Sequence, residues 1–329
     1  MGAYNKTQLY TKKKGQKKMN RYLPEGCYIT SLENQWMTGS MEGLEKALAL
    51  GTILEAPCVL CDHDFCLHVA LGGGIKGKIP KEETQMAIGT ESVKDIAILT
   101  RVGKTVCFKV IGFSEEGGTR VAILSRRLAQ EECLLQYTDT LCPGDILPAK
   151  ITHLENFGAF ADIGCGIISL LSIDSISVSR IAHPSERLRI GEEIYCVMKC
   201  RDARGRIYVS QRELFGSWEE NAARFSQGQT AYGIVRSIEP YGIFVELAPN
   251  LAGLAEYRAD VKEGQSAAVY IKSILPEKMK IKLIIIDTAQ NAAYRAPTKY
   301  FIDPTVTEHI DTWLYSPPGA KRRIETMFC

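Results

Sequence analysis

The chain has 329 residues, 45% of them apolar and 24% charged, which suits several cored domains of a globular protein. No apolar run approaches the ~18–20 residues of a bilayer span, and no apolar segment follows the basic N-terminus as in an export signal, so a cytoplasmic protein without a membrane partner is expected. The net charge of +2 is uneven: residues 1–21 hold seven cations (Lys6, Lys12, Lys13, Lys14, Lys17, Lys18 and Arg21) and no acid, leaving −5 on the rest. The body is therefore no general polyanion sponge, and any nucleic-acid affinity there has to come from local geometry. Eleven scattered cysteines fit reduced thiols acting as small buried hydrophobes better than a disulfide framework.

In chain order, residues 1–22 read as a disordered basic arm with little to bury. Over residues 38–50 the spacing predicts a helix, with Ser40 as cap, Met41, Leu44, Ala47 and Leu48 on one face and Gly51 as the stop. After Gly51 the texture changes to short Val/Ile/Phe/Tyr segments broken by Gly, Asp, Asn and Pro, the pattern of small barrels rather than βαβ units. One frame recurs three times. The middle copy is clearest: Gly144-Asp145, a strand to His153, Asn156-Phe157-Gly158-Ala159-Phe160, a short strand through Leu170-Leu171, Gly191-Glu192, a strand over residues 195–200, and Arg204-Gly205-Arg206-Ile207-Tyr208-Val209-Ser210. The third repeats it with Gly228, Tyr241-Gly242-Ile243-Phe244, Gly253-Leu254, Gly264 and Lys280-Ile281-Lys282-Leu283. A looser first copy runs from Gly51 through Phe65 and His68 to Ser125. The domain reading is a helix plus divergent first barrel over 38–128, a second barrel over 141–213 and a third over 226–287. Helical linkers are expected near residues 126–137 and 212–225. Residues 288–329 read as an irregular tail, with local helix around 305–314.

An unpaired strand of nucleic acid offers bare base faces and a charged backbone. Two aromatic rings three residues apart, entering a strand from a turn, can lie on one barrel face and stack bases while cations line the path. These motifs resemble the S1 RNA-binding module, an OB-fold barrel of five strands, and the array is similar to the short form of the bacterial ribosomal protein S1 family over residues 45–286. The resemblance implies an all-β fold of three tandem OB-fold barrels joined by short helical linkers. It also implies binding of single-stranded RNA, messenger RNA in translation, with the small ribosomal subunit as a partner.

Carried over residue by residue, the resemblance places Phe157, Phe160, Ser172 (where a His is usual), Asp202 and Arg206 on the second barrel's RNA face. On the third it places Tyr241, Phe244 and Lys280, with Glu256 at the strand-three position. On the first it places Phe65 and His68, with Pro80 in place of the His and Arg120 near the basic position. Against this stands the simpler reading that each ring fills its barrel and each cation is a solvated surface charge.

Two other patterns resemble the beginnings of known sites. Gly72-Gly73-Gly74-Ile75-Lys76-Gly77-Lys78 begins like a P-loop, but Ile79 stands where a hydroxyl must meet magnesium, so a hairpin is expected. Cys58, Cys61, His63 and Cys66 have the opening spacing of a zinc site without the usual second pair, and buried thiols are the preferred reading. No catalytic motif is present, so a binding protein without a cofactor is expected. The rivals are a protein-docking scaffold, on ribosome or polymerase, with secondary RNA contact, and a nuclease or transferase with accessory barrels.

Overall fold

The computed structural model describes residues 22–87, 94–290 and 299–328. The basic arm lies outside the described residues except for Tyr22, which belongs to the folded body. Its ring stacks on Tyr137 with centroids 6.0 Å apart, and its hydroxyl donates to Glu132 at 2.9 Å.

Two helices open the structure, α1 (Leu32–Thr38) and α2 (Met41–Leu50). The second is the expected one: Ser40 caps it, and Gly51 ends it in the left-handed conformation that favours glycine. The first was not read from the sequence, because two turns are too short to show a period. Its Asn34 spends its amide on the first barrel, donating to the Glu55 carbonyl at 2.9 Å and accepting from the Glu55 N–H at 2.8 Å.

Three closed five-stranded barrels follow. The first is β1 (Ile53–Cys61), β2 (Leu67–Ala70), β3 (Lys76–Ile79), β4 (Thr105–Glu116) and β5 (Thr119–Ser125). The second is β6 (Ile146–Glu155), β7 (Gly158–Asp162), β8 (Ile168–Ser172), β9 (Glu193–Arg201) and β10 (Ile207–Ser210). The third is β11 (Thr230–Glu239), β12 (Gly242–Ala248), β13 (Leu251–Ala255), β14 (Ser266–Leu275) and β15 (Lys280–Ala289). Each is an antiparallel meander of three strands closed by a parallel pair, β3 with β5, β8 with β10 and β13 with β15. Each has its own aliphatic core, built from the alternate residues that the pleat turns inward. The glycine run at 72–74 is the turn between β2 and β3. Within the first barrel α3 (Asp95–Leu99) interrupts the long β3–β4 connection, and the linker helix α4 (Arg126–Gln136) leads from β5 to the second barrel. Two short helices, α5 (Ile173–Ile176) and α6 (Trp218–Ala222), sit after β8 and ahead of the third barrel.

The C-terminal residues need a correction. No helix forms around 305–314; instead β16 (Thr312–Leu314) pairs with β17 (Glu325–Met327). The reason is period two: Trp313 and Tyr315 enter the third barrel's core cluster while Leu314 between them stays exposed. The segment also folds back on the second barrel, where the Ile146 N–H donates to the Glu308 carbonyl at 2.8 Å and Tyr300 stacks on Phe215.

Buried charge sets how neighbouring barrels meet. At the first junction Arg126, 1% exposed, donates from Nε and Nη2 to the two Glu25 oxygens at 2.7 and 3.0 Å. Burial works to raise the Glu25 carboxyl, but Arg126 and then Arg101 overcome it and hold it below its ordinary range. The neighbouring Asp162, buried and facing that charge, is pushed up to about 7 while accepting the Glu25 N–H at 2.7 Å. At the second junction Arg187 donates from both terminal nitrogens to Glu246 at 2.8 and 2.5 Å, and Arg236 adds a bond from Nε to the same carboxylate at 2.7 Å. Arg236 also pairs with Glu186.

Removing one partner of such a pair strands the other in low dielectric. Arg126→Met should therefore lower unfolding free energy by about 3–5 kcal/mol in urea titrations. A loss below about 1 kcal/mol would show that Glu25 is solvated and the junction is not built on this pair.

Candidate nucleic-acid interface

Strand register gives the three barrels one coordinate system. In the second, Phe160 lies opposite His153 on β6 and Leu170 on β8, and Leu170 is paired with Tyr208 on β10. In the third, Phe244 lies opposite Ser237 and Leu254, and Leu254 is paired with Lys282. In the first, His68 lies opposite Leu60 and Lys78, and Lys78 is paired with Ile123. Side chains two residues apart on a strand share a face, so Arg206 and Lys280 occupy matching outward positions beside Tyr208 and Lys282.

The aromatic pairs match closely. Phe157 is 55% exposed and meets the half-buried Phe160 edge to face, with centroids 6.0 Å apart and planes at 88°. Tyr241 is 69% exposed and meets Phe244 at 6.1 Å and 87°. Both pairs stand outside their cores, which the neighbouring Ala159 and Ile243 enter instead. The glycine after each first ring is set by close approach. A Cβ on Gly158 would lie 2.4 Å from the Leu171 carbonyl oxygen, and one on Gly242 2.4 Å from that of Ala255. Tight contact of the two backbones there turns the first ring outward.

The remaining second-barrel positions are polar and partly self-paired. Asp202 accepts the Arg206 Nε–H at 2.7 Å, leaving that guanidinium half exposed. The Ser172 and Ser175 hydroxyl oxygens lie 2.9 Å apart, and hydrogen bonding by Ser172 holds the Asp174 carboxyl below its usual range. Sequence reasoning did not include His153, whose ring stacks on Phe160 at 6.4 Å and 25°. Its signal was available, because a register counted back from the Asn156 turn puts the two opposite each other. Lys199 and Lys272 occupy matching positions in the two barrels. Each falls between paired residues of a register shift, between Met198 and Cys200 and between Ile271 and Ser273.

On the third barrel Lys280 is exposed and has no hydrogen-bond or ion-pair partner among the described residues, and Glu256, just past β13, is exposed as well.

The first barrel does not repeat the face. Its β1–β2 connection is longer, Phe65 takes φ 60°, and that ring packs against the barrel's own core beneath the Lys81 ammonium, 4.3 Å from its centroid. His68 is held by Asp62 at 2.9 Å and Lys78 by Glu116 at 2.7 Å. Val121 stands at the position matching Arg206 and is buried, while Arg120 turns to Glu45 at 2.6 Å. Phe65 and His68 thus form no outward aromatic pair.

The four-ligand metal set is not assembled either. The Cys58 and Cys61 thiols donate to the carbonyls of Leu60 and Asp62, and His63 is solvent-exposed beside Asp64. The donor atoms that do come together, all within 4.8 Å of one another, belong to Asp62, Cys66 and His68.

Fold and face together define a protein of tandem OB-fold barrels with outward aromatic pairs on two of them. Residues 141–212 match the family of the S1 RNA binding domain. Over 158 residues, 46% of the chain, it is 31% identical to the small ribosomal subunit protein bS1 of Neisseria meningitidis serogroup B, covering 28% of that protein. Over 287 residues, 81% of the chain, it is 28% identical to bS1 of Staphylococcus aureus, covering 69% of it. A crystallised multidomain protein with nucleic acid binding domains from Streptococcus pneumoniae is 16% identical over 74% of this chain and 75% of its own, with a TM-score of 0.23. The chain thus carries an S1 RNA binding domain over residues 141–212 and is similar to the bS1 proteins beyond it.

If Phe157 and Tyr241 stand outside the cores, replacing either by Ala should cost under about 1 kcal/mol of stability, whereas Ile243→Ala should cost about 2–5 kcal/mol. Urea unfolding measures both. A core-sized loss at Phe157 or Tyr241 would mean the rings pack inward.

Proposed function

We propose that the protein binds single-stranded RNA in translation, through the outer faces of the second and third barrels, as a binding protein rather than an enzyme. The observation that carries this is the repetition of one edge-to-face aromatic pair at the same strand register in two barrels, each with a cationic position two strands away. A ring presented this way stacks any base, so affinity comes with little sequence preference. Residues 1–21, with seven cations, add sequence-blind attraction to the backbone.

Messenger RNA is the expected ligand and the small ribosomal subunit the expected partner, in keeping with what the bS1 relatives are named for. A cytoplasmic location goes with that role, and among the described residues no helix is long and apolar enough to cross a membrane. The first barrel, its face closed by its own ion pairs, is suited to docking on protein instead of RNA.

The test is a titration of the intact chain with an unstructured RNA and with a duplex of equal length. The single strand should bind more tightly, and Phe157→Ala with Phe160→Ala should weaken it by about 2–5 kcal/mol while the barrel stays folded. Equal binding of the duplex, or indifference to the double substitution, would overturn the reading.

A further inference from the structure

The C-terminal segment does more than cover the barrels. Its hairpin is fixed on the third barrel: the Tyr315 hydroxyl donates to the Asn250 carbonyl at 2.5 Å, and the Trp218 N–H donates to the Tyr315 carbonyl at 2.9 Å. Between β16 and β17 the chain passes through Arg322, whose carbonyl accepts the Ser316 hydroxyl at 2.8 Å. The backbone is thus held while the side chain is exposed.

That side chain lines three adjoining clefts. The one against the aromatic pair, about 530 Å³, is lined by Tyr241, Phe244 and Leu254 together with Lys278, Lys280 and Arg322. Among the described residues no carboxylate lines it. Its three cations have no ion-pair partner among the described residues, although most arginines of the barrels are paired. A second cleft, about 550 Å³, leads from the same two rings toward the second barrel past Arg180, which is also exposed without a carboxylate partner among the described residues. Arg236 in that cleft is already neutralised by Glu246 and Glu186, and Glu239 and Glu263 line it as well. The third, smaller cleft continues to Arg212 and Asp174 at the end of β8.

A cleft lined by two aromatic rings and three cations that are unpaired among the described residues is complementary to a chain of bases joined by phosphodiesters. We propose that the C-terminal segment completes the nucleic-acid site of the third barrel, Arg322 holding a backbone phosphate of the strand whose bases stack on Tyr241 and Phe244. The strand then leaves past Arg180 toward the second barrel. This rests on the single-strand reading above and adds to it a part of the chain that lies outside all three barrels.

The experiment uses the full chain and a twelve-nucleotide oligouridylate, with dissociation constants measured between 0.05 and 0.3 M salt. Each phosphate neutralised on a single strand contributes about 0.7 to the slope of log affinity against log salt. Arg322→Ala should therefore flatten the slope by about 0.7 and weaken binding about fivefold at 0.1 M salt. Lys321→Ala, a neighbouring cation outside all three clefts, is the control and should change the slope far less. Equal small effects of the two substitutions, with binding still sensitive to Tyr241→Ala, would overturn the assignment of Arg322 and leave the aromatic site standing. Failure of the unaltered protein to bind, or binding indifferent to Tyr241→Ala, would overturn the single-strand reading itself, and this proposal with it. Circular dichroism of each variant shows whether a loss comes from unfolding.

Discussion

The buried bond between Arg187 and Glu246 is the constraint on which the composite surface depends. Arg187 sits in the β8–β9 connection of the second barrel and Glu246 on β12 of the third, two residues past the Phe244 ring. Both are more than nine-tenths buried, so their desolvation cancels much of their attraction, and the pair adds little to stability compared with a well-packed apolar contact. Its effect is selectivity. Any other docking of the two barrels leaves a charged group in the interface without its partner, and that is the expensive arrangement. Ser177, Arg236 and Glu186 complete the donors and acceptors around the pair, and Asn250 of the third barrel separately accepts the Val178 N–H of the second-barrel connection at 3.0 Å, so the two aromatic faces are held in one mutual orientation.

A fixed orientation matters because stacking on a single barrel is modest, and a ligand that spans two faces gains from having them already in place. The second and third barrels have the same ring geometry to within 0.1 Å in centroid distance. They differ in charge. Asp202 partly satisfies Arg206 in the second, whereas Lys280 in the third has no counter-ion among the described residues. The first barrel keeps the topology and loses the face, with Phe65 drawn onto its own core and His68 and Lys78 bound to acids beside them.

Much of this could be read before the structure. Glycine and aromatic punctuation located the strands of the second and third copies, since β12 begins at the glycine after Tyr241 and β7 at the glycine after Phe157. What was illegible was long-range. No local pattern announces that Glu25, near the N-terminus, meets Arg126, 101 residues away, or that Trp313 returns to the core of the third barrel. The helix expected around residue 310 failed for a related reason: a short apolar stretch has no clear period until a barrel supplies the surface it packs against. Phe65 differs because the extra residues of its hairpin shift the ring away from the register shared by Phe157 and Tyr241.

Single-strand binding by these barrels requires bases to meet these rings. Photocrosslinking of RNA carrying 4-thiouridine, followed by mass spectrometry of the intact chain's peptides, maps that contact directly. Adducts should concentrate on Phe157, Phe160, Tyr241 and Phe244. Adducts confined to the first barrel or to the backs of the other two would contradict it.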